Sequence, residues 1–300
     1  TDNMEFCCEA RPGPETTFNK FKLLKEHGMF RLSLGCQSLN DEVLRINGRT
    51  HDSTVFYETF DKARQAGIDS INVDLMSGLI SDTMETWIST IKSLISLKPE
   101  NIAIYKMEVY LNNKIYQKMR EDKIELISNI EEANLASGYM FADNFSFMTD
   151  PKYDHAHRRE VWKGADMVGV GLSSHSCFND YIYQNESSFS VYMNRVREGV
   201  IPIQRAYKIS AREEMIQRTI FGIKNLNFSR SCFEDEFGVD VLDVFPKQFK
   251  YLEEEGFITI DADNIKTTFE GALYADDIVR EFYLPDQKNV MLGHVHRPEK

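Results

Sequence analysis

The chain has 300 residues, 42% hydrophobic and 27% charged, which supports one large domain, or a large and a small one, with an ample core. Its formal net charge of −12 argues against a nucleic-acid partner, because phosphate binding needs clustered Lys and Arg. No apolar run approaches the roughly 20 residues of a membrane helix, and no basic-apolar leader opens the sequence. Residues 4–10 read as a strand and Arg11-Pro12-Gly13-Pro14 as a loop. Thr16 or Thr17 caps the next helix, whose apolar face is Phe18, Phe21, Leu23 and Leu24 and which ends at Gly28. A second strand, RLSLGCQS, occupies 31–38. Asn40-Asp41 opens a short helix with Val43, Leu44 and Ile46, and Ser53 is expected to cap a helix carrying Phe56, Phe60 and Ala63 that ends at Gly67. The third strand is INVDLMSGL at 71–79. Ser81 or Asp82 opens a helix bearing Trp87, Ile88, Ile91, Leu94 and Ile95, Lys98-Pro99-Glu100 stops it, and 102–109 is the fourth strand.

Strands alternating with helices imply parallel pairing through right-handed crossovers. Four such strands are too few to close an eightfold barrel. Beyond residue 120 the rhythm changes. Residues 124–137 read as helix, 139–147 as an aromatic strand, 150–163 as a polar loop and 166–176 as another buried strand. The pattern is helical again from Ser210, with helices expected at 233–237 and 244–252 and a hairpin at 257–260 and 265–268. Helices followed by a small hairpin are winged-helix-like, but Glu234, Asp235, Glu236, Asp240, Glu253, Glu254 and Glu255 make this module a poor DNA binder. The expected fold class is α/β: a partial, open TIM-type barrel and its following region over 1–205, then a mostly helical domain over 206–300.

The second and third strands are apolar runs that end in a polar residue and a glycine before a helix. A barrel strand looks like this when it delivers a polar side chain to the barrel mouth. With Glu9 and Arg49 nearby in sequence, they point to a site for a polar, zwitterionic small molecule. The five cysteines, Cys7, Cys8, Cys36, Cys177 and Cys232, form an odd, scattered set that favours a reducing, cytoplasmic setting over a disulfide framework, and each reads as a small buried strand residue. His155, His157, His175, His294 and His296 are the histidines considered as metal ligands; the first three read as loop or strand residues and the last two as tail.

These blocks, taken in order, carry a resemblance. Glu9-Ala10-Arg11-Pro12, RLSLGCQS, Gly48-Arg49-Thr50-His51, NVDLMSGL, Glu100 to Tyr105 with Glu108 after it, GVGLSSHS at 169–176, Tyr183-Gln184-Asn185 and the region from Phe237 to Gly271 are similar to the radical S-adenosylmethionine enzymes of the oxygen-independent coproporphyrinogen III oxidase family. The likeness covers nearly the whole chain. It implies S-adenosylmethionine as cofactor, with Glu9, Gln37, Arg49 and Asp74 binding it and Met76 and Tyr105 packing on adenine. Arg49 would pair with the cofactor carboxylate in a two-point bond.

The family also holds a [4Fe-4S] cluster on a CxxxCxxC motif, and this spacing does not occur in the chain. The resemblance therefore implies cluster cysteines upstream of Thr1 and no metal ligand within the sequence. It further implies an electron donor such as flavodoxin or ferredoxin, and a 5′-deoxyadenosyl radical that abstracts hydrogen from a porphyrin-like or natural-product substrate. Other members methylate or cyclopropanate natural products with two S-adenosylmethionine molecules. Haem-chaperone members carry HNxxYW, of which His157 and Trp162 are present here while Arg158 and Val161 depart from it.

Overall fold

The computed structural model describes residues 4–107, 109–110, 138–284 and 294–295. The chain packs as two compact units, divided between Asp154 and His155, with Leu284 and residues 294–295 belonging to the first. The division falls ahead of the boundary drawn at 205/206. Its physical cause is that residues after 155 pack with the C-terminal helices: the Trp162 ring stacks on Phe221 at 5.6 Å and 7°, and Arg218 Nη2 donates to the Gly164 carbonyl.

The first unit opens with β1 (Phe6–Ala10), α1 (Phe18–Glu26), β2 (Met29–Gln37), α2 (Asp41–Ile46), α3 (Ser53–Gln65), β3 (Ser70–Ser77), α4 (Met84–Ser96) and β4 (Asn101–Lys106). The four strands are parallel, in the order β1-β2-β3-β4. After β5 (Val109–Tyr110) come β6 (Met140–Phe141) and β7 (Ser146–Met148); β7 pairs antiparallel with β4 and β6 antiparallel with β7 at the sheet's edge, and the sheet stays open among the described residues.

The two faces of the parallel sheet differ. Leu32, Leu34 and Cys36 of β2, Ile71, Val73 and Leu75 of β3, and Ile102 and Ile104 of β4 face the helices, where they pack with Phe21, Phe56, Phe60, Trp87, Ile91 and Leu94. The alternate residues carry polar groups: Cys7 and Glu9, Arg31, Ser33 and Gln37, Asn72 and Asp74, Asn101. Period-2 alternation thus makes one apolar face under helices and one polar face toward the barrel lumen. Deep on the polar face, Arg31 Nη1 donates to Asn101 Oδ1 at 2.6 Å, Ser70 Oγ donates to the same atom, and Asn101 Nδ2 donates to the Tyr153 carbonyl.

The second unit begins with α5 (Ala156–Trp162). A three-stranded antiparallel sheet follows, made of β8 (His175–Phe178), β9 (Tyr181–Asn185) and, after α6 (Phe189–Arg197), β10 (Ile203–Lys208). Then come α7 (Ala211–Lys224), β11 (Asn227–Ser229), α8 (Arg230–Phe237), α9 (Val241–Val244) and α10 (Pro246–Glu254). The hairpin β12 (Ile258–Ile260) and β13 (Asn264–Thr267) pairs with β11 and leads to α11 (Phe269–Leu273) and α12 (Ala275–Ile278). Ile216, Ile223, Phe233, Phe245, Phe249, Leu252 and Phe282 form buried core positions here. Finally β14 (His294–Val295) pairs antiparallel with β5.

Several expectations need correction. Phe18 and Leu23 are 37% and 55% exposed, so α1 buries only the Phe21 stripe. Asp52 rather than Ser53 caps α3, accepting from Val55 N, and Thr83 rather than Ser81 or Asp82 caps α4 in a capping box with Thr86. Residues 150–163 form a 3-10 turn (Pro151–Tyr153) and α5 instead of a loop. Residues 166–174 are an exposed loop instead of a buried strand, with Val170 86% exposed: its glycines and Ser173, which adopts φ 59°, break the extended backbone before β8. Cys232 is exposed on α8 rather than buried in a strand. The helix expected at 124–137 lies outside the described residues. No helix among the described residues is long and apolar enough to cross a membrane.

Candidate functional site

At the carboxyl ends of the first three strands lies a cavity of about 430 Å³. Glu9, Ala10 and Arg11 line it from β1 and the loop beyond, Ser33, Gly35 and Gln37 from β2, Gly48, Arg49, Thr50 and His51 from the segment after α2, and Asp74 from β3. The carboxyl end of a parallel sheet is where βα loops and strand termini converge on a ligand.

Asp74 is half-buried in the body of β3 rather than at its end, with Glu9 close enough for the two charges to interact. Ser33 Oγ donates to one Asp74 oxygen at 2.7 Å and Asn72 Nδ2 to the other at 2.7 Å; Asn72 Nδ2 also donates to Ser33 Oγ at 2.8 Å. Burial pushes the Asp74 carboxyl above the usual aspartate range, its two hydrogen bonds pull it back, and the Glu9 charge pushes it up again. Asn72 keeps a buried Oδ1 with no partner.

Gln37 ends β2 in the left-handed region, at φ 69°, where the register with β3 shifts. A Cβ at Gly35 would stand 2.8 Å from Gln37 Nε2, so the glycine lets that amide fold back beside it into the cavity wall.

The Gly48 to His51 segment is fixed at both ends. Asn47 Nδ2 donates to the carbonyls of Val43 and Ile80, its Oδ1 accepts from Ile80 N, and Gly48 turns the chain at φ 70°. His51 Nε2 lies 3.1 Å from the Cys36 carbonyl; a carbonyl only accepts, so Nε2 carries the proton, while the buried Nδ1 has no partner. Arg49, half-buried, donates from Nη2 to Met76 Sδ at 2.8 Å, and its buried Nε has no partner. Burial lowers its affinity for a proton from the ordinary guanidinium value.

Of the six positions singled out in the sequence, Glu9, Gln37, Arg49 and Asp74 line the cavity. Met76 and Tyr105 do not. Met76 reaches the cavity only through Arg49, and the Tyr105 ring, 42% exposed, lies 5.0 Å from that of Phe145. Ser33, Asn72 and His51 join the site without having been marked out as binding residues by their sequence motifs. Alternation was the available signal for the first two, since each sits two residues before a cavity residue on the same strand face.

The thiols do not suit a cluster. Cys7 and Cys8 are successive strand residues on opposite faces; burial pushes Cys7 up to about 12 and also raises Cys8, Cys36 and Cys177, against the thiolate a metal requires. His155 and His157 stand at the start of α5 with rings 5.9 Å apart, and His175 is exposed on β8. Glu108, His296 and the side chain of His294 lie outside the described residues.

Residues 2–94 match the family model of the Radical SAM superfamily. The chain is 25% identical over 291 residues to the haem chaperone HemW of Bacillus subtilis (strain 168), covering 94% of this chain and 76% of that protein. It is 27% identical over 287 residues to the oxygen-independent coproporphyrinogen III oxidase of Synechocystis sp., covering 86% and 61%. The solved coproporphyrinogen III oxidase (HemN) of Escherichia coli superposes with a TM-score of 0.76 at 24% identity, covering 94% of this chain and 70% of that one, which shows a shared fold. The chain thus spans 61% and 76% of the length of these two curated relatives.

Proposed function

We propose, from the premise that this is a radical SAM chain related to the oxygen-independent coproporphyrinogen III oxidases and the haem chaperone HemW, that the cavity at β1–β3 holds S-adenosylmethionine in a protein directed at porphyrins. The observation that carries this reading is the pairing of opposite demands on one cavity wall. Arg49 is a half-buried cation with no anionic partner among the described residues, and Asp74 and Glu9 are carboxylates with acceptor capacity to spare. A ligand with a carboxylate, an ammonium and a ribose diol satisfies both. Arg49 would take the carboxylate, Asp74 and Glu9 the ammonium and hydroxyl donors, and Gln37 a further polar edge.

When bound, this cofactor supplies one-electron chemistry at its sulfonium centre. The residues of this chain bind and orient it. The cysteines present do not fit the cluster that such chemistry needs. Isothermal titration of the full chain with S-adenosylmethionine tests the assignment: binding is expected, and it should be weakened at least tenfold in Arg49→Ala. No binding by the wild type overturns it.

A second reading, haem carriage without catalysis, is favoured by one observation: α5 carries His157 with Trp162, whose ring stacks on Phe221 and faces the Arg158 guanidinium at 5.6 Å. A Soret band on haem addition that disappears in His157→Ala supports this reading, and a band unchanged by that substitution removes it.

A further inference from the structure

We infer that Met76 is a placeholder on Arg49: its thioether holds the guanidinium in the ligand-free protein and gives it up when a ligand carboxylate enters the cavity. The inference rests on the reading of the cavity as an S-adenosylmethionine site and goes beyond it, because it assigns Met76 the role of setting affinity instead of packing on adenine.

The contact is an unusual one for this side chain. Arg49 Nη2 donates to Met76 Sδ at 2.8 Å, Nε is buried without a partner, and among the described residues the guanidinium makes no ion pair. A thioether sulfur is neutral and a weak acceptor, whereas a guanidinium carries five donors in a fork that matches a carboxylate at two points. The cavity's own carboxylates do not supply the match. Among the described residues neither Asp74 nor Glu9 forms an ion pair with Arg49, and burial lowers the affinity of Arg49 for a proton. The cation is therefore held on the cavity wall by a partner too weak to satisfy it. An incoming carboxylate offers it the bonds that the sulfur cannot.

Affinity is the difference between the ligand-free and ligand-bound states. If the sulfur steadies Arg49 only in the ligand-free state, removing it raises affinity. If Met76 instead packs on the ligand, trimming it lowers affinity or leaves it unchanged. Leucine is the suitable replacement because it nearly conserves volume and has no acceptor.

The test is isothermal titration of the full chain, wild type and Met76→Leu, with S-adenosylmethionine and with its decarboxylated analogue. We expect Met76→Leu to bind S-adenosylmethionine roughly two- to fivefold more tightly, the size of a weak hydrogen bond lost from the free state, with the analogue unchanged. Equal or weaker binding of S-adenosylmethionine by Met76→Leu, or equal tightening for both ligands, overturns the exchange and leaves the cavity assignment standing. Failure of the wild type to bind either ligand overturns both. Should Met76→Leu not fold, methyl-13C methionine NMR of the wild type decides. The Met76 methyl signal, identified by its displacement in Arg49→Ala, should move on adding S-adenosylmethionine and not on adding the analogue; a signal that stays fixed with both sinks the exchange.

Discussion

The cavity wall at β1–β3 and the helix–hairpin module around β11–β13 solve the same problem, a set of charged groups beside an apolar core, in opposite ways. In the module, Arg230 pairs with Asp240 and donates to the carbonyls of Asp261 and Ala262, and Arg218 holds Glu236 at 2.8 to 3.2 Å. All six buried polar side-chain atoms without a partner among the described residues, on Arg49, His51, Asn72, Asp82, Trp87 and Asn144, belong to the first unit, and two of those residues line the cavity. Satisfied polar groups fix a fold, whereas Arg49 and His51 keep hydrogen-bonding capacity on the cavity wall. Asp240 and Asp74 show the contrast within one residue type: the hydrogen bond from Arg230 holds the first below the ordinary aspartate value, and burial holds the second above it.

Four measurements break or sharpen this contrast. The largest effect is expected on ligand affinity. Arg49→Ala should cost about 1.5–3 kcal/mol of S-adenosylmethionine binding, the range for a hydrogen bond to a charged group, with little change in urea stability. A loss of stability larger than the loss of binding would make Arg49 a structural group like Arg230. Arg230→Ala should act the other way, lowering stability by about 1 kcal/mol, a figure kept small because the pair is partly exposed. No change in the denaturation midpoint would remove the module from the comparison.

The third is a difference in sign with pH. Asp74 has a raised value in the folded state, so the folded protein binds its proton more tightly. Its contribution is fully present below the unfolded value near 3.8 and is lost as pH rises through the higher folded value. Asp240 has a lowered value, so its contribution is present above 3.8 and is lost as pH falls through the lower folded value. Stability curves of Asp74→Asn and Asp240→Asn against wild type should therefore diverge in opposite directions across acid pH; parallel curves would refute the assignment. The smallest effect is expected from Gly35→Ala. The added Cβ meets only the end of the Gln37 side chain, so stability should fall by less than about 1 kcal/mol while ligand affinity drops a few fold by displacing that amide. An affinity equal to wild type would place Gln37 outside the bound ligand's reach.

The strand-helix rhythm of residues 6–106 was legible because each parallel strand is an apolar run bounded by turn residues and each helix carries a cap and an apolar stripe. The glycines at 28 and 67 fall where the helices end. Legibility fell where local sequence and tertiary packing disagree. The 166–174 loop has the composition of a buried strand and yet exposes Val168, Val170 and Leu172. Residues 150–163, rich in charge, fold as a 3-10 turn and α5, and Trp162 at the end of α5 stacks on Phe221, a partner 59 positions away in sequence. At the site, single residues at strand ends and on the GRTH segment could be picked out. The support beneath them could not: Ser33 of β2 bonds to both Asp74 and Asn72 of β3, a relation that only the register of β2 with β3 creates.

The tie of Arg31, Ser70 and Asn101 on the lumen face has a kinetic consequence. Its members come from three successive strands and from positions separated by 70 and 31 residues, and Asn101 donates in turn to the Tyr153 carbonyl. Such long-range contacts form only after the intervening loops have closed. We expect the tie to close only as β2, β3 and β4 pair. Arg31→Ala should accelerate unfolding far more than it slows folding, so the bond that draws the sheet together would act as its latch against opening rather than as its nucleus.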